Sequence, residues 1–188
     1  MRKALLASLL LAGALPASAQ VPPNSQAMLA AQRAAMARIA YIDGVWRGPA
    51  WSITPGGRRE VIQTERIGPF LDGTVKVSEG RAYNPDGSVG FNALGIFSYD
   101  PRSQAYILHS HAQGYGGDFT LKLTPTGYVW EVPGGPGAVI RYTATIGNGA
   151  WREIGERVAG EAAPVQIFEM NLKRVGDTDW PEQGAQTP

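Results

Sequence analysis

The chain has 188 residues, 17 Lys and Arg against 16 Asp and Glu, a formal net charge of +1, and no cysteine. The absence of cysteine excludes disulfides, thiolate metal sites and a lipoprotein anchor. Balanced charge without a basic run leaves no electrostatic footprint for nucleic acid or an anionic membrane surface.

Arg2 and Lys3 precede an apolar stretch from Ala4 to Leu15, followed by Pro16 and Ala17-Ser18-Ala19. This order predicts a secretory signal over residues 1–19 and delivery to a bacterial periplasm or the medium. The stretch is shorter than the ~20 apolar residues of a membrane span, and no later segment approaches that length, so no integral span is expected. Removing it leaves about 169 residues, enough for one domain with a sizeable core.

Residues 20–43 read as a linker, Val21 to Pro23, and then an amphipathic helix capped by Asn24 or Ser25. Met28, Leu29, Met36, Ile39 and Ile42 recur at helical spacing, with Gln32, Arg33 and Arg38 on the rest of the surface. Such a face must lie on something apolar, which predicts a helix closing one end of a core; a lid or a partner-docking helix is the alternative.

Nine turn signals divide residues 44–175. They are Pro55-Gly56-Gly57, Asp72-Gly73, Asn84-Pro85-Asp86-Gly87, Asp100-Pro101, Gly114 to Gly117, Thr126-Gly127, Pro133 to Gly137, Gly147-Asn148-Gly149 and Ala159-Gly160. Nine turns join ten strands, and spacing this short forces sequence neighbours to pair as hairpins. Phe119, Leu121 and Leu123 alternate with Thr120 and Lys122, Ile140 to Ile146 alternate with Arg141, Thr143 and Thr145, and Phe168, Met170 and Leu172 alternate with Glu169, Asn171 and Lys173. One dry and one wet face per strand, without long crossovers, predicts an all-β fold: a single antiparallel up-and-down barrel of about ten strands preceded by one helix. Residues 176–188 form a C-terminal tail, partly disordered in expectation, from which Trp180 could tuck against the barrel.

Gly44-Val45-Trp46 on the first strand, behind a helix, resembles the opening of the calycins, the lipocalin and fatty-acid-binding barrels. Over roughly Ile39 to Trp180 the chain resembles a bacterial calycin-like family, domain of unknown function 1579. The likeness lies in Gln63-Thr64-Glu65-Arg66-Ile67-Gly68-Pro69, Leu71-Asp72-Gly73, Phe97-Ser98-Tyr99-Asp100-Pro101 and Gly155-Glu156-Arg157. The resemblance implies a barrel and an exported location, and no settled activity. It also implies that Trp46 plugs the closed end with a basic residue of the last strand, here Arg174, over its ring.

Charged residues that share a strand face with apolar ones point to a functional cavity, because an unpaired buried charge is costly. Gln63 and Glu65 alternate with Val61 and Ile67, while Glu79, Arg81 and Tyr83 continue the face of Val75 and Val77. If both faces point inward, these residues line the barrel as a charge-compensated cluster; otherwise they are solvated at the rim. Glu153 shares a face with Trp151 and Arg157, and Glu156 with Ile154 and Val158; a solvated cross-strand ion pair is the expected state.

His109 and His111 project to one side of a strand and could clasp zinc or copper, but the chain has no other His and no Cys, leaving Glu131 or Asp118 as a third ligand. Haem held by an axial imidazole would need the same two residues. Neither metal nor cofactor is expected. The chain lacks a Gly-x-Ser-x-Gly elbow, and Ser110 points away from its neighbouring histidine, so no catalytic triad is expected. Gly134-Gly135-Pro136-Gly137 joins two strands and opens no helix, which makes it a hairpin rather than a phosphate loop.

The function expected is binding of a small apolar or amphipathic molecule inside the barrel. Phe91, Phe97, Tyr106, Trp130 and Tyr142 are candidate walls, and Gln63, Glu65, Glu79, Arg81 and Tyr83 candidate orienting groups. Two alternatives are an isomerase or lyase using the Glu and Arg cluster, with Glu65 and Glu79 as acid and base, and a filled barrel serving as an envelope interaction module with an apolar patch around Trp51 or Trp180.

Overall fold

A computed structural model describes residues 24–182. The predicted signal, the linker at Val21 to Pro23 and the last six residues of the tail lie outside them. Ten strands follow one helix: α1 (Ser25–Arg38), then β1 (Gly44–Thr54), β2 (Gly57–Phe70), β3 (Val75–Tyr83), β4 (Val89–Asp100), β5 (Ala105–Ala112), β6 (Tyr115–Thr124), β7 (Gly127–Pro133), β8 (Ala138–Gly147), β9 (Ala150–Ala159) and β10 (Val165–Gly176). Each strand pairs antiparallel with its sequence neighbour, and β10 returns to β1, closing an up-and-down barrel. Each turn signal lies at a junction between successive strands, as the short spacing requires, although Gly116 and Gly117 of the fifth fall inside β6.

The ring closes where β1 lies between β2 and β10, with Trp46 opposite Glu65 on one side and Arg174 on the other. Gly48 is required here: a Cβ at that position would stand 2.0 Å from the Asn171 carbonyl oxygen. The seam between β6 and β7 is short. Lys122 to Thr124 pair with Gly127 to Val129, whereas β7 pairs with β8 along its whole length, Gly127 to Pro133.

One end of the ring is plugged. α1 ends at Arg38, earlier than the sequence pattern suggests, because Ile39 leaves helical geometry (φ −109°, ψ 20°) and the chain tightens into a 3-10 turn over Ala40–Ile42. The tighter turn directs Ile39 and Ile42 into the core beside Met36, Trp46 and Tyr128. Asn24 is the N-cap residue, without a side-chain capping bond. Polar groups of the barrel hold the plug: the Tyr106 hydroxyl donates to the Ala35 carbonyl at 3.0 Å, the Trp46 indole N–H to Ile42 at 2.9 Å, and the Tyr41 hydroxyl to Gly127 at 3.1 Å. Lys76, buried at this end, donates to both Asp43 oxygens at 2.8 and 2.7 Å. Burial pushes the Asp43 carboxyl above its ordinary range in spite of that ammonium.

Trp46 is the plug's centre, 2% exposed and edge-on to Trp151 with ring centroids 5.7 Å apart. The basic partner expected over its ring is elsewhere. Arg174 lies against Gly44 and donates from Nε to the Asp43 carbonyl at 3.2 Å, with its terminal nitrogen on Asp177. Gly44, with φ 127° and no side chain, opens that place beside the backbone, so Arg174 seals the end through main-chain oxygen rather than through the indole. The described part of the tail crosses the outer wall, where Arg66 stacks on Trp180 at 4.6 Å and the Trp180 carbonyl approaches Gly68.

Replacing Trp46 with Ala removes a buried ring and its hydrogen bond together. Urea unfolding is expected to show a loss of about 3–5 kcal/mol at an unchanged m-value.

Candidate functional site

Above this plug the ring is hollow. The cavity has a volume of about 930 Å³ and reaches the end that carries the β1–β2, β3–β4, β5–β6 and β7–β8 turns. Its two sides differ. The side formed by β3, β4 and β5 is rich in small inward residues, Ser78, Gly80 and Ala82, then Ala93 and Gly95, then Ser110 and Ala112, between the larger Phe91, Phe97 and Leu108. The other side is aromatic. Phe119, Trp130, Tyr142 and Phe168 form a continuous upper tier, with Trp130 and Tyr142 stacked at 4.6 Å and 20° and with their outer neighbours at 5.7 and 5.8 Å. Phe97, Tyr128, Trp151 and Trp46 form a lower tier. Tyr142 can lie flat because Gly155 is beneath it, where a Cβ would meet its ring at 2.8 Å.

Two carboxyls line this hollow, from strands on either side of the β10–β1 closure. Glu65 on β2 accepts from the Gln63 amide at 2.6 Å and lies over Gly80, whose missing side chain makes its room: a Cβ there would stand 2.7 Å from Oε1. The exposure that Glu65 retains is to the cavity it lines. Glu153 on β9 is 6% exposed and accepts from the indole N–H groups of Trp130 at 3.2 Å and Trp151 at 3.3 Å. Burial raises Glu65 to about 8, with Glu153 and Glu79 adding to the shift against the Gln63 bond. Burial also raises Glu153 to about 7, opposed by its indole donors. Tyr142 is pushed up to about 12 by burial and by Glu153, and Tyr128 rises in the same way from burial and from both carboxylates.

Gln63, Glu65, Trp130 and Tyr142 therefore line the cavity, and Glu79, Arg81 and Tyr83 do not. On β3 the inward residues are Lys76, Ser78, Gly80 and Ala82, so the expected face is inverted. Val75 and Val77 suggested the opposite face, yet Val77 is buried from outside, paired with the Gly68 that the Trp180 segment crosses. Glu79 forms an outer-wall ion pair with Arg66 at 2.8 Å and bonds Arg81 Nε at 3.1 Å. Although burial raises the Glu79 carboxyl, these two guanidiniums hold it below its ordinary value. The wall thus separates Glu65 from Glu79, and the proposed acid–base pair is not formed. Phe91 and Phe97 face the cavity, while Tyr106 belongs to the plug.

The sequence reading missed Glu153, expected in a solvated ion pair. The signal available was its phase: it alternates with Trp151 and Gly155, as other inward residues do. Arg157, which the alternation placed on the same face, stands exposed toward the mouth. His109 and His111 are on the outer wall with the other odd-numbered residues of β5, so neither imidazole reaches the cavity. His109 bridges three strands, with Nδ1 2.7 Å from Asp118 and Nε2 2.9 Å from the Ser98 hydroxyl. This serine–histidine–aspartate chain depends on strand register, which is why residues distant in sequence gave no warning of it.

No family model and no curated protein matches the chain. Among solved structures it is similar to the crystal structure of Rv2717c from M. tuberculosis, with a TM-score of 0.56 and 12% identity over 74% of this chain and 96% of that one. At that identity the likeness is one of fold.

The raised carboxyls set a sign for pH dependence. Unfolded, both ionise near the ordinary value of 4.5, whereas in the barrel they ionise at about 8 and about 7. Between these limits the folded state holds more protons, so stability is greatest on the acid side and falls as pH rises through the folded values. Glu79 and Glu169, held low, titrate below this window. Thermal melts from about pH 5.5 to about pH 9 should show a falling Tm, flattened in Glu65→Gln and in Glu153→Gln, with each variant several degrees above wild type at the alkaline end.

Proposed function

We propose that this protein is an exported calycin-like barrel, of the domain of unknown function 1579 type, that holds a small apolar or amphipathic molecule in its interior. One observation carries the reading: a hollow of about 930 Å³ with an aromatic wall, a wall of small residues and a few aimed polar groups. Ligand pockets have this size and chemistry. A barrel selected only for stability fills its centre with side chains. Arg2, Lys3, the apolar stretch and Ala17-Ser18-Ala19 support the exported location.

The other readings have less support. An isomerase or lyase built on Glu65, Glu79 and Arg81 would need them on one side of the wall, and an envelope interaction module was expected to be filled.

A neutral environment-sensitive dye, N-phenylnaphthylamine, should bind saturably to the full chain with a blue shift and quench Trp130. Ala93→Trp, which places an indole in the cavity, should weaken binding by at least about tenfold while the far-ultraviolet circular dichroism stays unchanged. A signal that does not saturate, or that Ala93→Trp leaves intact, overturns the reading.

A further inference from the structure

Burying a carboxylate without a cation is costly, and proteins normally pair or neutralise such a group. The interior here holds two such groups, each pushed toward its neutral form by burial and neither beside a cation. Among the described residues that line the cavity, Arg59 is the one cation. It is fixed at the mouth, where Nε donates to Asn84 Oδ1 at 3.1 Å and Nη1 to the Gly90 carbonyl at 3.5 Å. Six residues of strand separate it from Glu65, about 20 Å. Lys76, the inward cation at the plugged end, is taken up by Asp43. The donors near the two carboxyls are neutral: the Gln63 amide at Glu65 and two indole N–H groups at Glu153.

The surfaces around them favour organic cations. The faces of Trp and Tyr rings carry negative potential and attract ammonium groups, most strongly where water is excluded. The Trp130–Tyr142 stack is adjacent to Glu153, because the Trp130 N–H itself bonds that carboxylate. A divalent metal ion would require several more oxygen ligands than these walls supply. An anionic ligand would meet two carboxylates with no neutralising charge beside them. Toward the mouth the lining includes Phe91, Phe119, Val132 and Phe168, below a rim that carries Arg59.

We propose that the cavity selects a cationic amphiphile, its ammonium head seated between Glu65 and Glu153 against the Trp130–Tyr142 stack and its hydrocarbon tail directed to the mouth. This rests on the carrier reading above and adds the charge of the ligand to it. The cation supplies the counter-charge that the chain leaves out, and the aromatic faces distinguish it from a mineral ion.

Three probes with the same decyl chain test it: decyltrimethylammonium, decanol and decanoate, titrated calorimetrically into the full chain at about pH 8.5, where both carboxyls are largely ionised. The ammonium is expected to bind at least about tenfold more tightly than the alcohol, with the carboxylate weakest. Glu65→Gln and Glu153→Gln should each reduce the ratio of ammonium to decanol affinity about tenfold. If decanol or decanoate binds as tightly as the ammonium, the charge assignment fails and the carrier reading stands. If none of the three binds, both fail. If the Gln variants keep the full preference, the ammonium is held elsewhere and the assignment of Glu65 and Glu153 is overturned.

Discussion

Hydrogen bonding between β1 and β10 converts a run of hairpins into a ring, and everything inside depends on that closure. An open sheet of the same strands would leave two edges unpaired and collapse its apolar face onto another layer. Closed, the wall supports itself through its own ladders, and the centre need not be filled to hold the strands apart. Gly48 allows the closing contact, and the plug of Met36, Ile39, Ile42 and Trp46 packs one end tightly, so the opposite end can stay open. The core is thus displaced toward one end of the barrel.

The free energy surrendered in the upper half is of two kinds. Small inward residues on β3, β4 and β5 give up apolar burial, and Glu65 and Glu153 are taken out of bulk water without a counter-ion. Neither serves the fold. Glycine at position 80 exists in relation to Glu65, and glycine at 155 in relation to Tyr142, so backbone positions are matched to site side chains. Departures from a well-packed interior that are this closely fitted to one another mark a functional site.

Much of the architecture was legible in the sequence, because strand number follows from turn chemistry and the hairpin connections follow from spacing. Facing was legible where large apolar residues mark the inner side, as with Phe119, Leu121 and Leu123 or Phe168, Met170 and Leu172. It failed on β3, since a cavity wall made of Ser78, Gly80 and Ala82 carries no hydrophobic signal and two outer valines supplied a false one. Half of the carboxylate pair was found on β2, and the other half was missed because Glu153 occurs among further charges on β9. The end of α1 and the place of Arg174 depend on tertiary contacts that periodicity does not encode. His109, Ser98 and Asp118 come together only once the register of β4, β5 and β6 is fixed.

The short seam between β6 and β7 has a mechanical meaning. A hydrogen-bonded ring is a series of links, and thermal strain gathers at the link with the fewest rungs. Here that link separates β1 to β6, which carry the small-residue side and Glu65, from β7 to β10, which carry Glu153 and most of the aromatic side. The Phe119 and Trp130 rings meet across it above the last rung. The β6–β7 register ends at Lys122 and Val129, so beyond it toward the mouth the wall on this side is continued by side chains rather than by main-chain bonds. The vessel therefore has its softest flank where the small-residue side meets the aromatic side.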